Sequence, residues 1–178
     1  MYSDTKIIFL DIDGVLNSTG LYVSRKELGI LTKRIIIDNK YNQFKDDIDI
    51  VSLGLLKYIV RKTGAKIVIS SAWRVGKTKE IFIEGFEWLG WKDFPIIDMT
   101  IVTTKFNDMR GDEVNEWLER HPDIKNYIIL DDSSDFYSYQ NLYKTDARTG
   151  LVYADAENII RLLGEVTKDE SEEDVYCE

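Results

Sequence analysis

Asp11 and Asp13 stand two positions apart at the end of the apolar run Ile7-Ile8-Phe9-Leu10. An unbroken apolar run of this length reads as a strand buried on both faces. Side chains two apart in a strand begin on the same face, and Gly14 permits a sharp turn just beyond them. Two carboxylates held this way repel each other unless a cation lies between them. An all-oxygen donor set favours Mg²⁺. Two further apolar runs end in equally useful groups. Lys66-Ile67-Val68-Ile69 runs into Ser70-Ser71-Ala72-Trp73-Arg74, and Tyr127-Ile128-Ile129-Leu130 runs into Asp131-Asp132. Each of these ends has a plain structural reading when taken alone, a turn for Asp and a helix cap for Ser. Core packing requires none of them, so their recurrence at three strand ends is the strongest signal in the chain.

The elements between these runs must bring the three ends together. Residues 17–48 lack a clean period; Leu21-Tyr22-Val23 and Arg34-Ile35-Ile36-Ile37 are candidates for short strands, forming a flap or small lid. Asp49 is placed to cap a helix through Leu53, Leu56, Tyr58 and Val60 that stops at Gly64. Thr78 is placed to cap a helix with Phe82, Phe86 and Leu89 on one face. Pro95-Ile96-Ile97 and Ile101-Val102 read as extended pieces. Arg110-Gly111-Asp112 opens a helix with Val114, Trp117 and Leu118 inward, closed near His121-Pro122. A short strand is expected near Leu142-Tyr143-Lys144, then a last helix capped at Asp155. Strands alternating with helices predict a parallel sheet with helices on both faces. In such α/β sheets the ligand site lies at the carboxyl ends of the strands.

The chain has 178 residues, suited to a single domain over residues 1–164 followed by an acidic tail over 165–178. The net charge of −9 is uneven. The tail carries seven acids against one lysine, whereas residues 24–45 carry six bases against two acids. That basic segment follows the Asp-x-Asp loop directly, where it is either a solvated surface or a means of attracting an anionic substrate. The one cysteine, Cys177, lies in the tail, which excludes a disulfide framework and a thiol nucleophile. No apolar run reaches the length of a membrane span. The N-terminus enters a strand at once, so a cytoplasmic protein is expected. Trp73, Trp88, Trp91 and Trp117 read as packing residues.

The segment Asp11-Ile12-Asp13-Gly14 after its apolar strand resembles motif I of the haloacid dehalogenase (HAD) superfamily of phosphotransferases. Ser70 is similar to motif II, a hydroxyl that binds a phosphoryl oxygen, with Ser71 as the alternative. Arg74, within a turn of it, is placed for a bidentate contact with phosphate. Asp131-Asp132 is similar to motif IV. The resemblance implies that Asp11 and Asp131 offer carboxylate oxygens to Mg²⁺, that Asp13 offers a backbone carbonyl, and that Asp132 binds the ion directly or through water. Asp135 reads as structural. For motif III there are two candidates: Arg110, favoured by its place at a helix start, and Lys105. The implied chemistry is attack by Asp11 to form an aspartyl-phosphate, with Asp13 as acid and then base.

More narrowly, Asp11 to Asn17, Ser70 to Arg74, Arg110-Gly111-Asp112-Glu113-Val114, Asp131-Asp132 and Thr145 to Leu151 resemble a compact HAD group associated with RNA-repair proteins and phages. That group is related to the phosphatase half of polynucleotide kinase-phosphatases. The resemblance covers roughly residues 6–164 and implies an α/β, Rossmann-like HAD fold with minimal or no cap. It implies a phosphorylated substrate such as a nucleotide or a nucleic-acid end, with no membrane and no obligate protein partner. The alternatives are a phosphatase for small metabolites such as sugar phosphates, and a module that binds phosphate or nucleotide without turnover.

Overall fold

The computed structural model of the chain describes residues 5–29, 44, 47–102 and 109–166. Strands β1 (Lys6–Leu10), β2 (Lys66–Ile69), β3 (Ile96–Met99), β4 (Asn126–Asp131) and β5 (Leu142–Lys144) form one sheet in the order β3-β2-β1-β4-β5. Every neighbouring pair is parallel. The described helices are α1 (Thr19–Glu27), α2 (Ile50–Thr63), α3 (Lys79–Trp88), α4 (Arg110–Arg120) and α5 (Tyr153–Leu163), with a single 3₁₀ turn at Ala72–Arg74.

The two faces of the sheet are assigned by the alternation of side chains along each strand. Ile8, Leu10, Ile67, Ile69, Ile128 and Leu130 pack with Leu53, Leu56 and Ile59 of α2, Phe82 and Phe86 of α3, and Ile159, Ile160 and Leu163 of α5. Ile7, Phe9, Val68 and Ile129 pack on the opposite face with Val114 and Trp117 of α4. The expected architecture, a parallel sheet covered on both sides, is therefore the observed one. Phe9 is the register partner of both Val68 and Ile129. Two residues further on, the same parity yields Asp11, Ser70 and Asp131. The ladder continues that far, since the Asp11 amide donates to the Leu130 carbonyl and the Ser70 amide to the Leu10 carbonyl, each at 3.0 Å. Three polar side chains thus leave the sheet side by side, on the face that α4 covers.

Local signals account for the helix ends. The Asp49 carboxylate accepts from the Val51 amide at 2.9 Å, and Gly64 closes α2 in the left-handed conformation. Thr78 precedes α3 without a side-chain cap bond. Asp155 lies inside the first turn of α5 rather than before it, and accepts from the Val152 amide at 3.0 Å. The strand expected at Leu21-Tyr22-Val23 is instead part of α1. Ser18 Oγ accepts from the Leu21 amide at 3.1 Å, and the Ala147 and Arg148 carbonyls accept from Thr19 and Gly20 at 3.0 Å, so a helix is nucleated before Leu21. Ile101 and Val102 lie beyond the end of β3. The expected strand at residues 34–37 and most of the tail lie outside the described residues. No helix among the described residues is long and apolar enough to cross a membrane.

Candidate active site

Asp11, Asp131 and Asp132 meet at the carboxyl end of the sheet. One carboxylate oxygen of each lies within 4.8 Å of the others. Asp11 and Asp131 are 4% and 0% exposed, so their charges are held out of water. Arg110 opens α4 and places its guanidinium against them, with Nη1 at 3.2 Å from Asp11 Oδ2 and also at 3.2 Å from Asp131 Oδ1. Its Nη2 donates to the Ser70 carbonyl at 3.1 Å. One side chain thereby ties together the ends of β1, β2 and β4. Asp135 supports this placement from the β4–β5 loop. Its carboxylate accepts from the Arg110 amide at 3.2 Å and its carbonyl from the Gly111 amide at 3.1 Å, which satisfies the start of α4.

The electrostatics leave the cluster short of positive charge. Burial, reinforced by the neighbouring Asp11 and opposed by Arg110, pushes the Asp131 carboxyl up to about 7. Asp132 is raised as well, by burial and then by Asp11. Burial works against the Arg110 charge, yet Asp11 and Asp131 outweigh it and raise its pKa. Asp131 Oδ2 is buried and makes no hydrogen bond; Arg110 Nη2 stands 3.0 Å from it, an ion-pair distance without hydrogen-bond alignment. Three hard oxygen donors, one of them without a hydrogen bond, fit a divalent cation of the Mg²⁺ type. Asp11, Asp131 and Asp132 are the residues that would hold it.

A stability profile follows from Asp131. Its pKa is raised in the folded protein from an ordinary value of 3.8, so between about pH 4 and pH 7 the folded state binds more protons than the unfolded chain. Stability then falls as pH rises through that window, each pK unit being worth about 1.4 kcal/mol. In chelator, Asp131→Asn should remove most of this slope, and Mg²⁺ should flatten it in the unmodified protein. Denaturant titrations across pH 4–8 measure both; an identical slope with and without Asp131 would refute the assignment.

The remaining strand-end groups divide by what they touch. Ser70 is 2% exposed and its hydroxyl has no hydrogen-bond partner among the described residues, leaving it for an incoming oxygen. Ser71 Oγ accepts from the Trp73 amide at 3.3 Å and caps the 3₁₀ turn. The expectation that Arg74 grips phosphate does not fit the structure. Its Nε donates to the Thr100 carbonyl at 3.0 Å and its Nη1 to the Ser70 and Ser71 carbonyls at 2.7 Å. Its Nη2 donates to the Ile101 carbonyl at 2.8 Å and pairs with Glu113. All five N–H groups of the guanidinium are engaged. Arg74 is the clamp that shapes the Ser70 loop. Lys105 lies outside the described residues, so of the two motif III candidates only Arg110 is placed.

Asp13 leaves the strand's alternation because the chain turns back on itself, with the Val15, Leu16 and Asn17 amides all directed at the Ile12 carbonyl. Its carboxylate is not part of the three-acid cluster. Trp73 Nε1 donates to Asp13 Oδ2 at 3.0 Å and Asn17 Nδ2 to Asp13 Oδ1 at 2.8 Å. Trp73 also packs edge-on against Phe44, as a packing residue would, but the bond to Asp13 is a role its sequence context did not reveal. Gly14 is required here. Its φ is +71°, and a Cβ would lie 2.4 Å from Asp132 Cγ, so motifs I and IV touch through the missing side chain. Thr145 Oγ1 donates to the Gly14 carbonyl at 2.8 Å and the Leu151 amide to the Val15 carbonyl at 2.8 Å. The segment Thr145 to Leu151 thus fixes the loop that carries Asp13.

With this geometry in hand, comparison with known families is informative. Residues 7–156 match the model of the HAD domain in Swiss Army Knife RNA repair proteins. The chain belongs to this HAD family. Membership supports the coarse reading of a HAD-type hydrolase. Among solved structures, a haloacid dehalogenase-like hydrolase from Streptococcus pneumoniae is similar over 89% of this chain and 92% of its own, at 16% identity and a TM-score of 0.41. No curated protein matches the sequence.

Proposed function

We propose that the chain is a Mg²⁺-dependent phosphomonoesterase acting on nucleotide or polynucleotide phosphate ends. The observation that supports this most is the convergence of Asp11 with Arg110, the partnerless Ser70 hydroxyl and two further carboxylates at one end of the sheet. The family's occurrence in RNA repair proteins supports the substrate class.

Repulsion between an anionic ester and an anionic nucleophile is the main obstacle to this reaction. Arg110 and Ser70 are placed to hold phosphoryl oxygens against Asp11. A bound Mg²⁺ would supply further neutralisation of the phosphoryl charge. Asp11 attacks phosphorus in line and the P–O bond to the leaving group breaks, giving an aspartyl-phosphate. Asp13 delivers a proton to the leaving oxygen, then takes one from the water that cleaves the acyl phosphate and frees Asp11.

Trp73 and Asn17 aim the Asp13 carboxylate in this scheme. Trp73→Phe keeps an aromatic ring and removes one donor. It should slow hydrolysis of alkyl phosphates by roughly tenfold, the size of one lost hydrogen bond to a charged group. In kcat/KM, which reports the steps up to phosphoryl transfer, it should leave p-nitrophenyl phosphate nearly unaffected, because that leaving group needs little protonation. Equal losses on both substrates would remove Trp73 from the proton-transfer step.

The function itself is tested with a panel of 3′-phosphorylated oligonucleotide, nucleoside monophosphates and sugar phosphates, each with Mg²⁺ and with chelator. Mg²⁺-dependent release of phosphate, fastest from the nucleotide substrates, is expected. Preference for sugar phosphates would move the activity to small metabolites. Ligand binding without turnover on any substrate would make the chain a binding module.

A further inference from the structure

A cavity of about 500 Å³ opens beside Asp13. Its wall includes Asp13 and Trp73 but none of Asp11, Ser70 and Arg110. The cavity thus reaches the proposed proton donor, Asp13, whose carboxylate accepts from Trp73 Nε1. In a displacement at phosphorus the leaving oxygen departs on the side opposite the nucleophile. The residue that protonates it must also border whatever the oxygen carries.

Helix α1 also lines the cavity, contributing Tyr22 and Arg25. None of the residues of α1 is buried. The hydrophobic core does not account for the placement of this helix, which is tied down by Ser18, by the Ala147 and Arg148 carbonyls and by Arg25 Nη2, which donates to the Ile48 carbonyl at 3.3 Å. Tyr22 remains 58% exposed. Asn17 and Asp47 also line the cavity. An exposed aromatic ring suits stacking of a flat heterocycle. The volume lies within the range of pockets that enclose whole small molecules, about 300–1,000 Å³.

We propose that this cavity is the leaving-group subsite and that it takes a nucleoside moiety, its base stacked on Tyr22. This rests on the phosphatase reading given above and adds to it the part of the substrate that is read and the residue that reads it.

The test compares kcat/KM for a nucleoside monophosphate and for a ribose phosphate bearing phosphate on the same carbon, with p-nitrophenyl phosphate as a third substrate. Thermal melting serves as the folding control. The unmodified protein should prefer the base-bearing substrate by about tenfold or more, the range that base–aromatic stacking supplies. Tyr22→Leu should bring that preference close to unity, chiefly through KM, and Tyr22→Phe should keep it. Tyr22→Ala provides a second variant should leucine perturb melting. No preference in the unmodified protein, or a preference that survives both Tyr22→Leu and Tyr22→Ala, overturns the proposal while leaving the phosphatase reading intact. If none of the three substrates is hydrolysed, the phosphatase reading fails and the subsite falls with it.

Discussion

Asp11→Asn should abolish phosphate release, by roughly 10⁴- to 10⁶-fold, the scale seen when an enzyme loses its nucleophile. The amide keeps the shape of the side chain but cannot form an acyl phosphate. The variant should nevertheless stay folded. The Asp11 charge lies against the buried Asp131 and helps drive its carboxyl up to about 7, so replacing it relieves repulsion within the site. In chelator, the melting temperature should be unchanged or higher. Loss of activity with stability retained distinguishes a chemical role from a structural one. Labelling adds a second measurement: phosphate from a labelled substrate should be trapped on the unmodified protein in a hydroxylamine-sensitive form and never on Asp11→Asn. Residual activity within tenfold of the unmodified protein would show that another group attacks phosphorus.

The largest effect on stability is expected at Arg74. Its guanidinium joins the Ser70, Ser71, Thr100 and Ile101 carbonyls to the buried Glu113. Arg74→Met would take the guanidinium from four carbonyls and from the Glu113 carboxylate, although the Ser70 carbonyl keeps Arg110 Nη2 and the Ser71 carbonyl keeps the amide of residue 74. Breaking one partner of a buried ion pair costs about 3–5 kcal/mol. For a chain of this size that corresponds to a fall in Tm of about 10 °C. Arg74→Lys should recover little, because a compact ammonium cannot reach five acceptors spread around a planar fork. Combining Arg74→Met with Glu113→Leu should restore part of the loss by removing the buried charge that loses its guanidinium. Urea titrations of the three variants measure this. An Arg74→Met protein of normal stability but weakened phosphate binding would return the residue to the substrate.

The parts legible in the sequence were those governed by local periodicity. Three apolar runs each ended at a group with chemistry, and the sheet does place Asp11, Ser70 and Asp131 in adjacent register on one face. Asp49 and Gly64 bound α2 as their types require. The parts that were not legible depend on what a side chain meets after the chain has packed. Arg74 follows a strand-end serine, as a phosphate-binding arginine would, and only the arrival of Glu113 from α4 and of Thr100 and Ile101 from the end of β3 turns it inward. Trp73 looks apolar in one dimension, and its N–H finds Asp13 only across the sheet. Leu21-Tyr22-Val23 is locally apolar and reads as a short strand, while the carbonyls that start α1 come from residues 147 and 148.

The order in which the chain is synthesised has a cost built into this topology. β1 leaves the ribosome first, yet it occupies the centre of the sheet, and Ile8 waits for Ile128 to complete its pairing. Gly14 waits longer still, for Thr145. At translation speeds of about 5–20 residues per second, the interval between completing β2 and completing β4 at Asp131, roughly 60 residues, lasts several seconds. Throughout that time a short, strongly apolar strand presents an open edge. The nascent polypeptide should therefore be a client for chaperones, and no truncation product ending before about residue 150 should acquire activity.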